Sequence, residues 1–251
     1  MKMTATPLFS IITITYNAAT TLPATLHSVA MQGFKNYEYI VVDGASKDGT
    51  VRLVEESPLQ VRMISEPDKG LYDAMNKGIK MAVGRYLIFL NAGDAFHSAD
   101  TLQCVADAIG DGNPGVVYGE TAIVDANRNF LMMRRLRAPE KLTWRSFANG
   151  MVVCHQAFIA RRDIVPTYDL KYRYSADVDW CIRCMKNTDE LLNTHCTLID
   201  YLNEGETTRH HRASLKERFA VMCEHYGTIP TILRHIGFAL RYAIARVQGK
   251  L

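Results

Sequence analysis

The sequence has no apolar run approaching the roughly 18 to 20 residues that a membrane-spanning helix requires. Residues 1–16 also lack the charged start, apolar stretch and small-residue cleavage site of a secretory signal. The expected location is therefore cytoplasmic, at most peripheral on the inner face of the cell membrane. An excess of one charge is missing too: 29 Lys and Arg against 26 Asp and Glu leave a formal +3, too little to imply a polyanionic partner. Internal repeats and low-complexity tracts are absent, which excludes solenoids and disordered arrays. Six cysteines include one CxxC, Cys181 and Cys184, with no second pair at zinc-site spacing. That CxxC lies within 177–184, which reads as helix interior rather than the helix start a redox pair favours. Six reduced thiols are expected.

What is present suits a globular domain: 251 residues, 48% hydrophobic and 22% charged, enough to bury a large core. Over the first 120 residues, β-branched runs alternate with helically spaced apolar residues. Strands are expected at 8–15, 37–42, 61–65, 86–90 and 116–118, with helices after Leu22, near Val51 and over 72–83. This alternation predicts an α/β fold with a mostly parallel sheet covered on both faces, whose ligands bind at the carboxyl ends of the strands. The second half is less regular. Two short strands around the turn 125–128, a strand at 157–159, a helix at 176–185, a strand at 196–202 and helices from Leu215 suggest a second wall over the sheet edge.

Polar residues stand at three strand exits: Asn17, Asp43, and Asn91 with Asp94. Each could be a cap or turn residue, but their clustering at one edge points to a ligand site. The turn 44–50 (GASKDGT) is not a Walker loop, because Lys47 precedes the second glycine, and GxGxxG is absent from it. ATPase and dehydrogenase chemistry are thereby disfavoured.

Residues 10–17 (SIITITYN), 39–50 (YIVVDGASKDGT) and 65–79 (SEPDKGLYDAMNKGI) together resemble glycosyltransferase family 2. The resemblance covers about residues 8–212 and implies the GT-A fold: a Rossmann-like central sheet flanked by helices, a smaller acceptor-side mixed region, and C-terminal helices. It implies a catalytic domain over 1–212 and a basic amphipathic region over 213–251. Thr15, Asn17 and Asn91 fall on the donor side. The aspartate matching Asp43 binds the nucleotide base in the family, and the one matching Asp68 lies near base and ribose; Asp68 also reads as a turn residue after Pro67.

The family's metal motif falls on 89–95 (FLNAGDA), where Asn91 and Gly93 replace carboxylates and Asp94 remains. The resemblance implies a divalent metal, Mn or Mg, held by Asp94 with substrate phosphate and water, and by His210 or His211 of the basic stretch 208–212. A solvated loop explains those histidines equally well. Residues 175–183 (SADVDWCIR) match the family's base-bearing stretch, with Ala176 in place of a glutamate and Asp177 at the position of the catalytic base. Asp179 also reads as an acid at a helix N-terminus. His155 and Gln156 resemble pocket-lining family residues, although a lone histidine beside a strand also reads as a satisfied core residue.

From Glu206 onward, eight Lys or Arg oppose three Glu. From Ile229, an apolar stripe recurs at helical spacing: Ile232, Leu233, Ile236, Leu240, Ala243, Ile244 and Val247. It is either a helix docked on its own domain or in a dimer, or an interfacial helix on an anionic membrane surface. The resemblance implies an inverting glycosyltransferase that uses a nucleotide-sugar donor, of UDP type, and a glycan or lipid-linked acceptor in surface polysaccharide assembly. A non-catalytic sugar-nucleotide-binding subunit is the alternative, prompted by the reduced metal motif. Nucleic-acid binding is disfavoured because aromatics are not interleaved with the basic tail.

Overall fold

The computed structural model describes residues 6–203 and 211–247. Its first half is β1 (Phe9–Thr15), α1 (Leu22–Ala30), β2 (Tyr37–Asp43), α2 (Thr50–Glu55), β3 (Val61–Ser65), α3 (Leu71–Met81) and β4 (Tyr86–Phe89). These strands are parallel in the order β3-β2-β1-β4. All seven residues of β1 are buried, as expected of a strand covered on both faces. Its polar members stay there because each is bonded: Ser10 Oγ donates to Glu38 and Thr13 Oγ1 to the Leu90 carbonyl.

After β4 come β5 (Ala95–Phe96), α4 (Thr101–Ile109), β6 (Val116–Val124), β7 (Phe130–Met133), β8 (Phe158–Arg161), α5 (Ala176–Lys186), β9 (Leu191–Leu202), α6 (His211–Tyr226) and α7 (Thr228–Val247). The sheet continues β4-β8-β6-β9-β5, with β7 paired to β6 off this path. The later strands therefore extend the one sheet instead of building the second wall expected from the sequence. β8 is antiparallel to both β4 and β6, so β6 runs in the direction of β4. The exit of β6 and its hairpin consequently lie at the same edge as the exits of β1, β2 and β4.

The apparent break between 116–118 and the next strand is an irregularity within the nine-residue β6, where its register with β9 shifts. Gly119 permits it: a Cβ there would lie 2.6 Å from the Cys196 carbonyl oxygen of β9. β9 begins at Leu191, earlier than expected, and α4 was not anticipated. α4 packs on β9 and brings together Cys104 and Cys196, which form a disulfide; Cys154, Cys181, Cys184 and Cys223 are free. The expectation of six reduced thiols is corrected to four, since partners 92 residues apart leave no spacing pattern in the sequence.

α6 shares the core of the preceding region: Val221 is fully buried, and the Tyr226 ring stacks on Trp144 at 5.5 Å. Among the described residues, no helix is long and apolar enough to cross a membrane.

Candidate active site

Four parallel strands deliver their following residues to one edge. At the β2 exit the Asp43 carboxylate is fully buried and accepts four hydrogen bonds, from the Thr15 and Ser65 hydroxyls and from both the hydroxyl and backbone N–H of Ser46. Burial pushes its pKa up, but these donors outweigh it and the net shift is downward. With about four lone-pair sites on a carboxylate, its acceptor capacity is taken up inside the protein. Asp43 and Thr15 thus hold the β2 turn, which carries Ala45 at φ 61, instead of presenting oxygens to a ligand. Asn17, itself at φ 47, is bonded to the same turn: its side-chain oxygen accepts from the Lys47 N–H and its own N–H donates to Ser46 Oγ.

Asp68 lies over this turn. A Cβ on Gly44 would fall 2.5 Å from Asp68 Oδ2 and 3.3 Å from the Tyr16 ring, so only glycine lets the carboxylate and ring converge there. Tyr16 is 68% exposed, an unusual state for an aromatic side chain at a strand exit. A planar ring beside a carboxylate that can accept from N–H or O–H groups suits a nucleoside. Sequence reading passed over Tyr16, whose only signal was an aromatic between a strand and Asn17.

At the β4 exit, Asp94 is buried and accepts from the Leu202 N–H at 3.0 Å and from Gln156 Nε2 at 2.7 Å. Burial raises its pKa to about 7, against the opposing effects of those donors and of Arg128. Arg128, at the turn between β6 and β7, donates from Nη1 to the Gly93 carbonyl at 2.7 Å. Asn91 Oδ1 is buried without a hydrogen-bond donor. An orphaned amide oxygen beside a carboxylate that keeps spare lone pairs is a hard-oxygen set of the kind Mg²⁺ or Mn²⁺ takes. Among the described residues, no group of three His, Cys, Asp or Glu could hold an ion, so the set fits a metal shared with donor phosphates and water. His211 opens α6, with its side chain outside the described residues, and His210 lies outside them altogether. Gln156 positions Asp94, and its Oε1 accepts from Cys154 Sγ.

Asp177 occupies the first turn of α5 and is half-buried. Its Oδ1 accepts from the Tyr72 hydroxyl at 3.2 Å and the Val178 N–H at 2.9 Å, while Oδ2 accepts no bond from the described residues. Burial holds the Tyr72 phenol well above its ordinary pKa, so it remains a donor. The segment bearing Tyr72 is locked in turn by Asn76, which exchanges two hydrogen bonds with the backbone of Tyr168. Tyr201 of β9 lies within electrostatic reach of both Asp94 and Asp177, linking the two halves of the site.

Asp179, two residues on, is a fastener: its buried carboxylate accepts from Arg183 Nε at 2.7 Å and His225 Nε2 at 2.8 Å, tying α5 to α6. Glu217 of α6 accepts the successive N–H groups of Arg173, Tyr174 and Ser175, the three residues leading into α5.

His155 is only 4% exposed, and its Nε2 meets the Tyr168 hydroxyl at 2.7 Å among the rings of Phe89, Tyr168 and Trp180. The expectation that it lines the pocket is corrected: the ring is core, because strand β8 enters the sheet directly after it. Burial lowers its pKa from 6.5 to about 4. The unfolded chain therefore takes the proton first as pH falls, so the stability this neutral ring contributes is full above pH 6.5 and lost as pH drops through about 4. Urea unfolding is expected to show wild type losing about 2 kcal/mol more than His155→Phe between about pH 7 and 5. Equal losses in the two proteins would remove the histidine as the cause.

Comparison with known proteins agrees with this architecture. The family profile of Glycosyl transferase family 2 matches residues 10–168. A PGL/p-HBAD biosynthesis glycosyltransferase of Mycobacterium bovis is 39% identical over 191 residues, covering 73% of this chain and 72% of that protein. The Escherichia coli UDP-Glc:alpha-D-GlcNAc-diphosphoundecaprenol beta-1,3-glucosyltransferase WfgD is 24% identical over 96% of this chain and 94% of its own. Among solved structures, S. aureus TarS 1-349 in complex with UDP-GlcNAc superposes with a TM-score of 0.68 at 18% identity, covering 92% of this chain and 73% of that one. With a parallel sheet, a polar carboxyl edge and a family match over most of its length, the chain belongs to glycosyltransferase family 2 and is a glycosyltransferase.

Proposed function

We propose that the protein transfers a sugar from a UDP-sugar, with inversion, to a hydroxyl of a glycan or lipid-linked acceptor in surface polysaccharide assembly. The observation that carries this reading is Asp177: one oxygen is fixed by Tyr72 and the other accepts nothing, at an edge that also holds the Tyr16–Asp68 cradle. TarS has been solved with UDP and with UDP-GlcNAc, and WfgD takes UDP-Glc and a diphosphoundecaprenol acceptor, which supports a similar donor and acceptor here.

In this mechanism Tyr16 and Asp68 hold the nucleoside, with Thr15, Asn17 and Asp43 keeping its turn in shape. Asp177 Oδ2 takes the proton of the acceptor hydroxyl as its oxygen attacks the anomeric carbon, and the nucleoside diphosphate leaves from the opposite face. Asp94 and Asn91 would hold a divalent ion, which when bound neutralises charge on the leaving diphosphate. The exposed Ile229, Ile232, Leu233 and Ile236 of α7 support a cytoplasmic protein resting on the inner membrane face.

A thermal-shift series tests donor and metal together. UDP at about a hundredfold over its Kd, with Mn²⁺ or Mg²⁺, is expected to raise Tm by about 5 to 10 °C. EDTA should shrink that rise, and Asp94→Ala should remove the metal-dependent part. An equal rise in EDTA sinks the metal assignment alone, whereas no rise under either condition sinks the UDP donor.

A further inference from the structure

The hairpin between β6 and β7 shows apolar side chains to solvent where a soluble edge strand usually shows charge. Phe130, Leu131 and Met132 are 61%, 45% and 59% exposed. Successive strand residues point to opposite faces, so Phe130 and Met132 are open on one face and Leu131 on the other. β7 pairs only with β6, through Ala122↔Met133, Ile123↔Met132 and Val124↔Phe130, which leaves its outer edge without a strand partner. Residues 126–139 contain four arginines, Arg128, Arg134, Arg135 and Arg137, and no acid.

We propose that the β6–β7 hairpin is a docking element for an anionic lipid surface, with Phe130, Leu131 and Met132 entering the headgroup–acyl boundary and Arg135 meeting the lipid phosphates. Two features favour lipid over a second copy of the chain. A copy adding a strand to the edge would cover mainly one face, whereas here both faces of β7 carry exposed apolar groups, as suits a medium that surrounds the tip. The all-basic flank also complements an anionic surface and would repel its own copy. The open backbone edge limits insertion to the interface, since unpaired N–H and C=O groups are not tolerated in the hydrocarbon. Arg128 ties the root of the hairpin to the Gly93 carbonyl at 2.7 Å, so the docked surface lies next to Asp94 and the acceptor side of the site. The surface stands on the hairpin itself and requires neither the donor nor the chemistry proposed above.

Flotation of the full chain with vesicles tests it without any sugar donor. Wild type should float with vesicles of equal parts phosphatidylcholine and phosphatidylglycerol, weakly with phosphatidylcholine alone, and less in high salt. The triple variant Phe130→Ser, Leu131→Ser, Met132→Ser should lose at least about tenfold in partition. Arg135→Gln, which leaves the apolar residues in place and guards against misfolding of the triple variant, should lose about fivefold, as one basic residue at such a surface predicts. Ile232→Ser with Leu233→Ser on α7 separates attachment by the other exposed stripe. The proposal is overturned if wild type does not float, if both hairpin variants float as wild type does, or if the α7 variant alone abolishes flotation. It is overturned equally if the hairpin variants float normally while a wild-type dimer becomes monomeric in sedimentation, which would make the face a contact between copies.

Discussion

Asp177→Asn is expected to lower kcat by at least about a hundredfold while leaving the Kd for UDP within about a factor of two. Asparagine keeps the shape and can still accept from Tyr72 and Val178, but its amide cannot take a proton from the acceptor hydroxyl. The second acid of the same helix turn supplies the control. Asp179 is buried between Arg183 and His225, so Asp179→Asn removes a charge that both partners use. Breaking a buried pair from one side typically costs about 3 kcal/mol or more, so this variant should unfold at markedly lower urea yet keep most of its turnover per folded molecule. Transfer rate, UDP affinity and urea midpoint for the two variants decide the matter. A near-wild-type rate for Asp177→Asn, or a larger catalytic loss at a folded Asp179→Asn, would move the base.

Glu217→Ala should be nearly as damaging for a different reason. One carboxylate satisfies three consecutive backbone N–H groups just ahead of α5, and alanine leaves all three without an acceptor. Bonds to a charged acceptor contribute about 1.5 to 3 kcal/mol each, part of which water would restore at the exposed Arg173, so a loss of about 3 kcal/mol is expected. The residues released lead directly into the turn that carries Asp177, so kcat should fall with KM for the donor little changed. Glu217→Gln keeps an acceptor oxygen and should recover part of both. If the alanine variant unfolds at the wild-type urea midpoint and turns over normally, α6 has no part in shaping the site.

The parallel half of the fold was legible because burial on both faces leaves strands such as β1 and β2 as continuous apolar runs between Asn, Asp and Gly turns. The antiparallel half was not. Gly119 and Glu120 read as a turn although they lie inside β6, and the tight approach of β9 that demands the glycine cannot be seen in one segment. Within the site, the edge positions Asn17, Asp43, Asn91 and Asp94 were legible from strand ends alone, and Asp68 and Asp177 from the family resemblance. What each carboxylate does was not legible, because it depends on partners far away in the chain: Ser65 for Asp43, Gln156 and Leu202 for Asp94, His225 for Asp179. Tyr72, Asn76 and Glu217 escaped for the same reason, and the exposure of Phe130 to Met132 reversed the usual reading of an apolar run as core.

The saturation of Asp43 divides labour at the nucleotide end of the sheet. The strand-borne acid spends its lone pairs on Thr15, Ser46 and Ser65, so it acts as the fixed mount, and the choice of base passes to Tyr16 and to the loop that carries Asp68. A mount buried in a parallel sheet tolerates little change, whereas a loop over its edge can be exchanged without disturbing the strands beneath. Donor preference in such a scaffold is therefore modular: a lineage, or an engineer, can retune which nucleotide is accepted by rewriting the short stretch after β3 while the frame that positions it stays intact.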